Sequence, residues 1–263
     1  MYLSAEQVAL VNQTVQETFE QCSVAWQAIP RWDTGNPGQA IVNSDSLPPS
    51  APLPIVHAYW PFDVTVAEAF APSPDQLLNT LIAATVDFCQ SMDNAIIQAI
   101  RTATTVAQPY DGTNADTIMA MLITARATVE KSGYRAPSCI FVGTTELIDL
   151  SKLVTAFGLS ATDLVLAPAN INELHRVETL EVQPPKASPN QTRLIFLGRR
   201  QRIAQGKAGD ATAGEEPVDL AISVPPSVEV VGANATGGIT LAVRISGALR
   251  IKDPKGLVAL VGP

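Results

Sequence analysis

Positive charge is scarce in this chain. Lys and Arg number 17 against 25 Asp and Glu, for a net charge of −8. Neutralising a phosphate backbone takes clustered cations, so a generally basic nucleic-acid binder is excluded. Charged residues of both signs make up only 16% of the chain, against about 25% in ordinary soluble domains, which leaves much of the surface suited to contact with protein. Cysteine is rare: Cys22, Cys89 and Cys139 are far apart. An odd count without Cys-x-x-Cys spacing argues against a disulfide framework and against a zinc site, so the three read as reduced core residues. The two histidines, His57 and His175, have no carboxylate or cysteine partner at ligand spacing and read as surface or interface residues. No uninterrupted apolar run reaches the ~18 residues of a membrane span. The opening MYLSAEQVALVNQ lacks the basic-then-apolar order of a signal peptide. Dinucleotide, Walker and nucleophile-elbow motifs are missing as well. Catalytic residue, cofactor and metal are therefore all assigned as none. A soluble enzyme or binding domain whose site is gathered from distant residues leaves no such motif and remains an alternative.

Several helices are legible. Residues 3–29 read as one amphipathic helix, with Val8, Val11, Val15, Phe19 and Cys22 at helical spacing and Ser4 as cap. It either packs on its own domain or serves as an arm on a neighbour. A second helix is expected to start with Ser73 as cap, Pro74 in the first position and Gln76 completing a capping box. It runs to about residue 104, ~45 Å at the helical rise. Apolar stripes on two sides make it a buried spine. Asp87 and Asp93, six apart on it, do not share a face. Thr113 and Asp116 start a third helix, which Lys131 and Gly133 end. Residues 138–142 read as a buried strand, 145–154 as a short helix and 163–166 as a short strand.

Residues 31–61 are different. Gly35, Pro37, Gly38, Pro48, Pro49, Pro52, Pro54 and Pro61 forbid a helix, yet Ile41, Val42, Leu47, Leu53, Ile55, Val56, Tyr59 and Trp60 are too apolar for a solvated linker. An extended ribbon with its apolar side on another subunit satisfies both facts. A strand follows over residues 62–70. Arg199, Arg200 and Arg202, in a strand pair or bent strand over 193–203, are the only basic cluster, and intersubunit carboxylates suit them better than nucleic acid in so acidic a chain. Glu215 and Glu216 read as a solvated pair in a polar loop. The C-terminal third is β. In ITLAVRISGALRI, residues 239–251, Ile, Leu and Val alternate with Thr, Ala, Arg and Ser, and the strand reaches ~43 Å.

This order of elements resembles the major capsid proteins of tailed bacteriophages and the encapsulins that share their fold. The likeness is carried by PIVHAYWPFDV with LLNTLIAATVDFCQSMDNAIIQAI, by DTIMAMLITARATVEKSGYRAPSCIFVGTTELIDL and by LAVRISGALRIKDPKGLVALV. It implies an α+β chain of the Hong Kong 97-type capsid fold: an N-terminal arm (1–31), an extended loop (32–61), a peripheral domain (62–136 and 225–263) and an axial domain (137–224) whose tip lies near residues 163–181. The implied function is a non-enzymatic shell subunit, in a virion enclosing double-stranded DNA or in an encapsulin enclosing a cargo enzyme in the cytoplasm. Implied partners are copies of itself in pentamers or hexamers, with portal, scaffolding or decoration proteins in a virion. DNA would be held without sequence readout, and no membrane is involved. Ile41, Val42, Leu47, Leu53, Ile55, Tyr59, Trp60, Arg199, Arg200 and Arg202 are the candidate intersubunit residues. Some capsids of this type join a loop lysine to a neighbour's asparagine. Residues 32–60 contain no lysine, so that crosslink cannot start from this loop.

Overall fold

The computed structural model of the chain describes residues 3–44, 50–154, 158–180, 191–199, 216–235 and 237–262, with the side chains of 135–137, 153, 154 and 199 outside that description. The first helix, α1 (Ala5–Cys22), begins as expected. The Ser4 hydroxyl accepts from the Gln7 N–H, and the Gln7 side chain accepts from the Ser4 N–H. Val11, Val15 and Phe19 form its buried stripe. One helix to residue 29 does not form. Ser23 turns extended, its N–H closing α1 on the Phe19 carbonyl and its hydroxyl accepting from Trp26 N–H to open a short helix, α2 (Val24–Ala28).

The ribbon region holds β1 (Arg31–Asp33), β2 (Ile41–Asn43) and β3 (Pro52–Pro54). The strand expected over 62–70 starts earlier, as β4 (Val56–Val64). Its expected end is instead a short helix, α3 (Val66–Ala69), because Thr65 and Glu68 cap each other in a Thr-x-x-Glu box. The spine is α4 (Asp75–Ala103), 29 residues long. Pro74 takes the cap position, and the Ser73 hydroxyl bonds to the Asp75 carboxylate instead of forming the expected capping box. After β5 (Ala107–Pro109) comes α5 (Ala115–Lys131), capped by Asn114 rather than Thr113. Gly133 closes it at a left-handed φ of 87°, open to glycine at no steric cost.

The chain continues through β6 (Arg135–Val142), α6 (Thr144–Ser151), β7 (Leu153–Val154) and β8 (Leu159–Ser160). Residues 163–166, expected as a strand, are the last three residues of helix α7 (Ala161–Val165) and its C-cap Leu166, and Ser160 and Asp163 start that helix with a capping box. Then follow β9 (Ile171–Arg176), a 3₁₀ turn (Glu178–Leu180), β10 (Gln191–Arg199), β11 (Val218–Ala233), β12 (Ile239–Ile251), a second 3₁₀ turn (Pro254–Gly256) and β13 (Leu257–Gly262).

Two sheets organise these elements. A four-stranded sheet has the order β1-β11-β12-β4, and a five-stranded sheet the order β5-β13-β10-β6-β9. The strands β11 and β12 pair antiparallel from Val218↔Ile251 to Ala233↔Ile239. The first core lies between α1, α4 and the four-stranded sheet, with Phe19, Leu81, Phe88, Ile97, Leu241 and Val243 all buried. It extends to the face of the second sheet that carries Cys139, Phe141 and Ile195. The opposite face of that sheet packs on α5 and α7 through Leu122, Val129, Val165, Phe196 and Leu260. The five-stranded sheet thus draws in α5 and β13 from outside residues 137–224. Helix α1 lies on its own subunit: Gln7 donates to the Ala69 carbonyl and Asn12 accepts from Val228 N–H at 2.8 Å. No helix among the described residues is long and apolar enough to cross a membrane.

Candidate assembly surface

The ribbon is tied down at its base. Asp219 on β11 faces Arg250 on β12 across the ladder. Both are buried, at 2% and 1% exposure. Arg250 meets the carboxylate with two hydrogen bonds of 2.6 Å each, from Nε and Nη2. Lys252 Nζ adds a third at 2.8 Å. The same guanidinium stacks over Trp32, 4.6 Å from the ring centroid, and its Nη1 donates to the Asn43 carbonyl at 3.4 Å. One buried cation therefore holds both the entry of the ribbon, at Trp32 on β1, and the end of β2, at Asn43.

Beyond that anchor the ribbon folds over the sheet. β2 and β3 pair antiparallel, with Val42 opposite Leu53. Val42 and Ile55 are buried on Ala221 and Ala248, with Leu53 packed alongside. Ala221 and Ala248 are cross-strand partners, and their small side chains leave a flat patch for the ribbon. The chain's own sheet thus covers the inner side of the ribbon. Ile41 points away, at 56% exposure.

Strand β4 offers a larger uncovered surface. Among the described residues it is the last strand of its sheet and pairs only with β12, so its outer edge offers backbone groups with no strand partner there. Val56 and Tyr59 on it are 61% and 67% exposed. Trp60 on the same strand and Phe70, which follows it in the chain, are exposed as well; Trp32, also exposed, lies on β1 at the opposite edge of the sheet. An open edge with exposed apolar side chains has the features that strand addition uses. Beside Val56, a groove of about 320 Å³ runs between the spine and the sheet, lined chiefly by apolar groups such as Ala58, Met92, Ile96, Ile222, Ile245 and Leu249.

Of the sequence-selected residues, Ile41, Tyr59 and Trp60 are thus outward, Val42 and Ile55 inward, and Leu53 between. Leu47, Arg200, Arg202 and the Arg199 side chain lie outside the described residues. Glu216 was expected in solvent with Glu215; it is 5% exposed, and Glu215 lies outside the description.

Two polar sites escaped the sequence reading. Asp93 accepts from Ser23 Oγ at 2.6 Å, Val24 N–H at 2.7 Å and Ala25 N–H at 3.1 Å, so the spine caps α2. Burial raises its carboxyl above the ordinary range, while these hydrogen bonds pull it down. His175, read as partnerless, has neighbours. Cys139, Glu173 and His175 bring ligand-type atoms within 4.8 Å of one another. Glu173 and His175 are two apart on β9 and so share a face, and Cys139 is the register partner of Glu173 on β6. The signal was a Glu-x-His on a strand, visible only once that segment is known to be one. His57 bonds through Nδ1 to the Ser246 hydroxyl at 2.7 Å.

No family model and no curated protein matches the sequence. Solved structures match it in fold. A virus-like particle from Pyrococcus furiosus superposes with a TM-score of 0.73 at 11% identity, over 97% of this chain and 100% of that one. A phage-related protein from Bordetella bronchiseptica gives 0.60 at 8% identity, covering 96% of each. The holo encapsulin complex from Synechococcus elongatus gives 0.57 at 10% identity, over 92% of this chain and 88% of that one. The chain therefore has the Hong Kong 97-type fold of phage capsids and encapsulins, as the order of its elements implied.

Proposed function

We propose that this chain is a non-enzymatic shell subunit, the major capsid protein of an icosahedral virus enclosing double-stranded DNA. The observation that carries the reading is the full-length superposition on a virus-like particle. Two properties of the subunit support it. The β4 edge and its exposed aromatic residues need a partner, and copies of the chain supply one. The extended loop has no lysine over residues 32–60, so the shell is held by burial and strand pairing, without a lysine–asparagine bond from that loop. At ~25 cal/mol per Å² of apolar area, repeated interfaces of ordinary size suffice. Portal, scaffolding or decoration proteins are its further partners in a virion.

A second reading is an encapsulin-type compartment in the cytoplasm. The encapsulin match and the apolar groove beside the spine favour it, because the groove offers a seat for an apolar segment of a cargo protein.

The test removes the ribbon, residues 38–54. The shortened chain is expected to stay folded, with native circular dichroism, and to sediment as free subunits or small oligomers while the full chain sediments as particles. Closed particles from the shortened chain would overturn the role given to the ribbon. Particle contents separate the two readings: nuclease-protected double-stranded DNA supports the capsid, and a stoichiometric co-purified enzyme supports the encapsulin.

A further inference from the structure

We propose that Cys139, Glu173 and His175 form a three-ligand site for a zinc-class divalent cation at the edge of the five-stranded sheet. The inference stands independently of the shell reading. A thiol, a carboxylate and an imidazole are the donor set that zinc takes when three protein ligands leave a fourth position open. Here the backbone ladder sets their placement. Cys139 and Glu173 are paired across parallel strands, and His175 follows on the same face of β9.

Three observations favour a metal over a simple ion pair. First, His175 Nε2 stands 3.9 Å from the nearer Glu173 oxygen, too far for a hydrogen bond. Two ligands on one tetrahedral ion, with bonds near 2.0–2.3 Å, stand roughly 3.3–3.8 Å apart. The widest separation in the group, no more than 4.8 Å, closes by a side-chain rotation of Glu173, whose side chain is 22% exposed. Second, His175 Nε2 is buried and has no hydrogen-bond partner. Such an atom is costly to leave unsatisfied, and a metal bond would occupy its lone pair. Third, the charges balance. On binding, the Cys139 thiol releases its proton to solvent as the sulfur–metal bond forms. Thiolate and carboxylate then neutralise the divalent ion without redox change, leaving a neutral centre suited to a buried face. Among the described residues β9 is the outermost strand of its sheet, and the Glu173 and His175 side chains are partly exposed. A water or a group from another molecule completes the coordination.

The experiment uses the full chain after chelator treatment. It carries Cys22→Ser, because Cys22 is an exposed free thiol that would bind metal on its own. Zn²⁺ affinity is read by competition with a chromogenic chelator, and Co²⁺ is added as a spectroscopic probe. The expected result is one ion per chain, with a thiolate-to-cobalt charge-transfer band and the visible bands of a tetrahedral centre. Cys139→Ser should abolish the charge-transfer band. Glu173→Gln and His175→Gln should each weaken Zn²⁺ binding by at least the ~10–100-fold that loss of a second-shell partner costs. These two residues lie on an edge strand and are partly exposed, so their variants decide the matter if the buried Cys139→Ser chain does not fold. Absence of stoichiometric Zn²⁺, or unchanged affinity in His175→Gln, would overturn the proposal.

Discussion

Replacing Asp219 with Asn keeps the shape of the side chain and removes its charge. Two cations, Arg250 and Lys252, then remain buried beside a neutral amide. The amide oxygen still accepts one hydrogen bond, but its NH₂ faces donors. Removing one member of a buried ion pair costs about 3–5 kcal/mol, because the remaining charge is uncompensated. With two cations affected, about 4 kcal/mol is a fair central value. For a domain of this size that corresponds to a fall in Tm of roughly 8–16 °C. The damage should not stay local, since Arg250 also holds Trp32 and the Asn43 carbonyl. Limited proteolysis should therefore cut the ribbon faster in Asp219→Asn than in the parent chain under conditions where both are folded. Urea unfolding gives the stability term, and a proteolysis time course gives the loosening. High salt should rescue neither, because buried charges are poorly screened. A stability loss below about 1 kcal/mol with unchanged ribbon cleavage would refute the anchor.

Glu146 makes a pH-dependent prediction. Burial holds its carboxyl above the ordinary value, with Arg193 at 3.6 Å pulling the other way. The folded state thus binds this proton more tightly than the unfolded chain does. The group's contribution to stability is full below the unfolded pKa of about 4.3 and falls as pH rises toward and through the folded value. Glu146→Gln should remove that fall, so its urea midpoint should gain on the parent's as pH rises through the mildly acidic range; parallel profiles would contradict it. On the open edge, Val56→Lys with Tyr59→Lys should change subunit stability by no more than about 0.5 kcal/mol per site. The same pair should sharply reduce particle yield by sedimentation, and an unchanged yield would show that the β4 edge is not an assembly contact.

Long-period features were readable in the sequence. The spine is visible because α4 repeats its apolar residues over 29 positions, and the long terminal strand because 13 residues of β12 alternate. Short segments failed where a local cap outvoted the hydrophobic pattern. Asp163, Leu164 and Val165 look like a strand until Ser160 is recognised as a helix cap. The ribbon was recognised as extended and apolar, but periodicity gives no partner for it. Its inner residues cover Ala221 and Ala248 of the same chain. For the same reason Arg250, placed by alternation on the polar face of β12, is buried: the ribbon covers that face, and Asp219 supplies the counter-charge from a position 31 residues away. Such long-range pairings depend on strand register, which no window of sequence contains.

Self-assembly is the central claim, and imaging the purified chain alone tests it most directly. Negative-stain microscopy across a range of salt, pH and protein concentration should show closed, uniform shells built from this chain without any other protein. A chain that stays a monomer or small oligomer under every condition, folded and with the β4 edge free, would contradict the account.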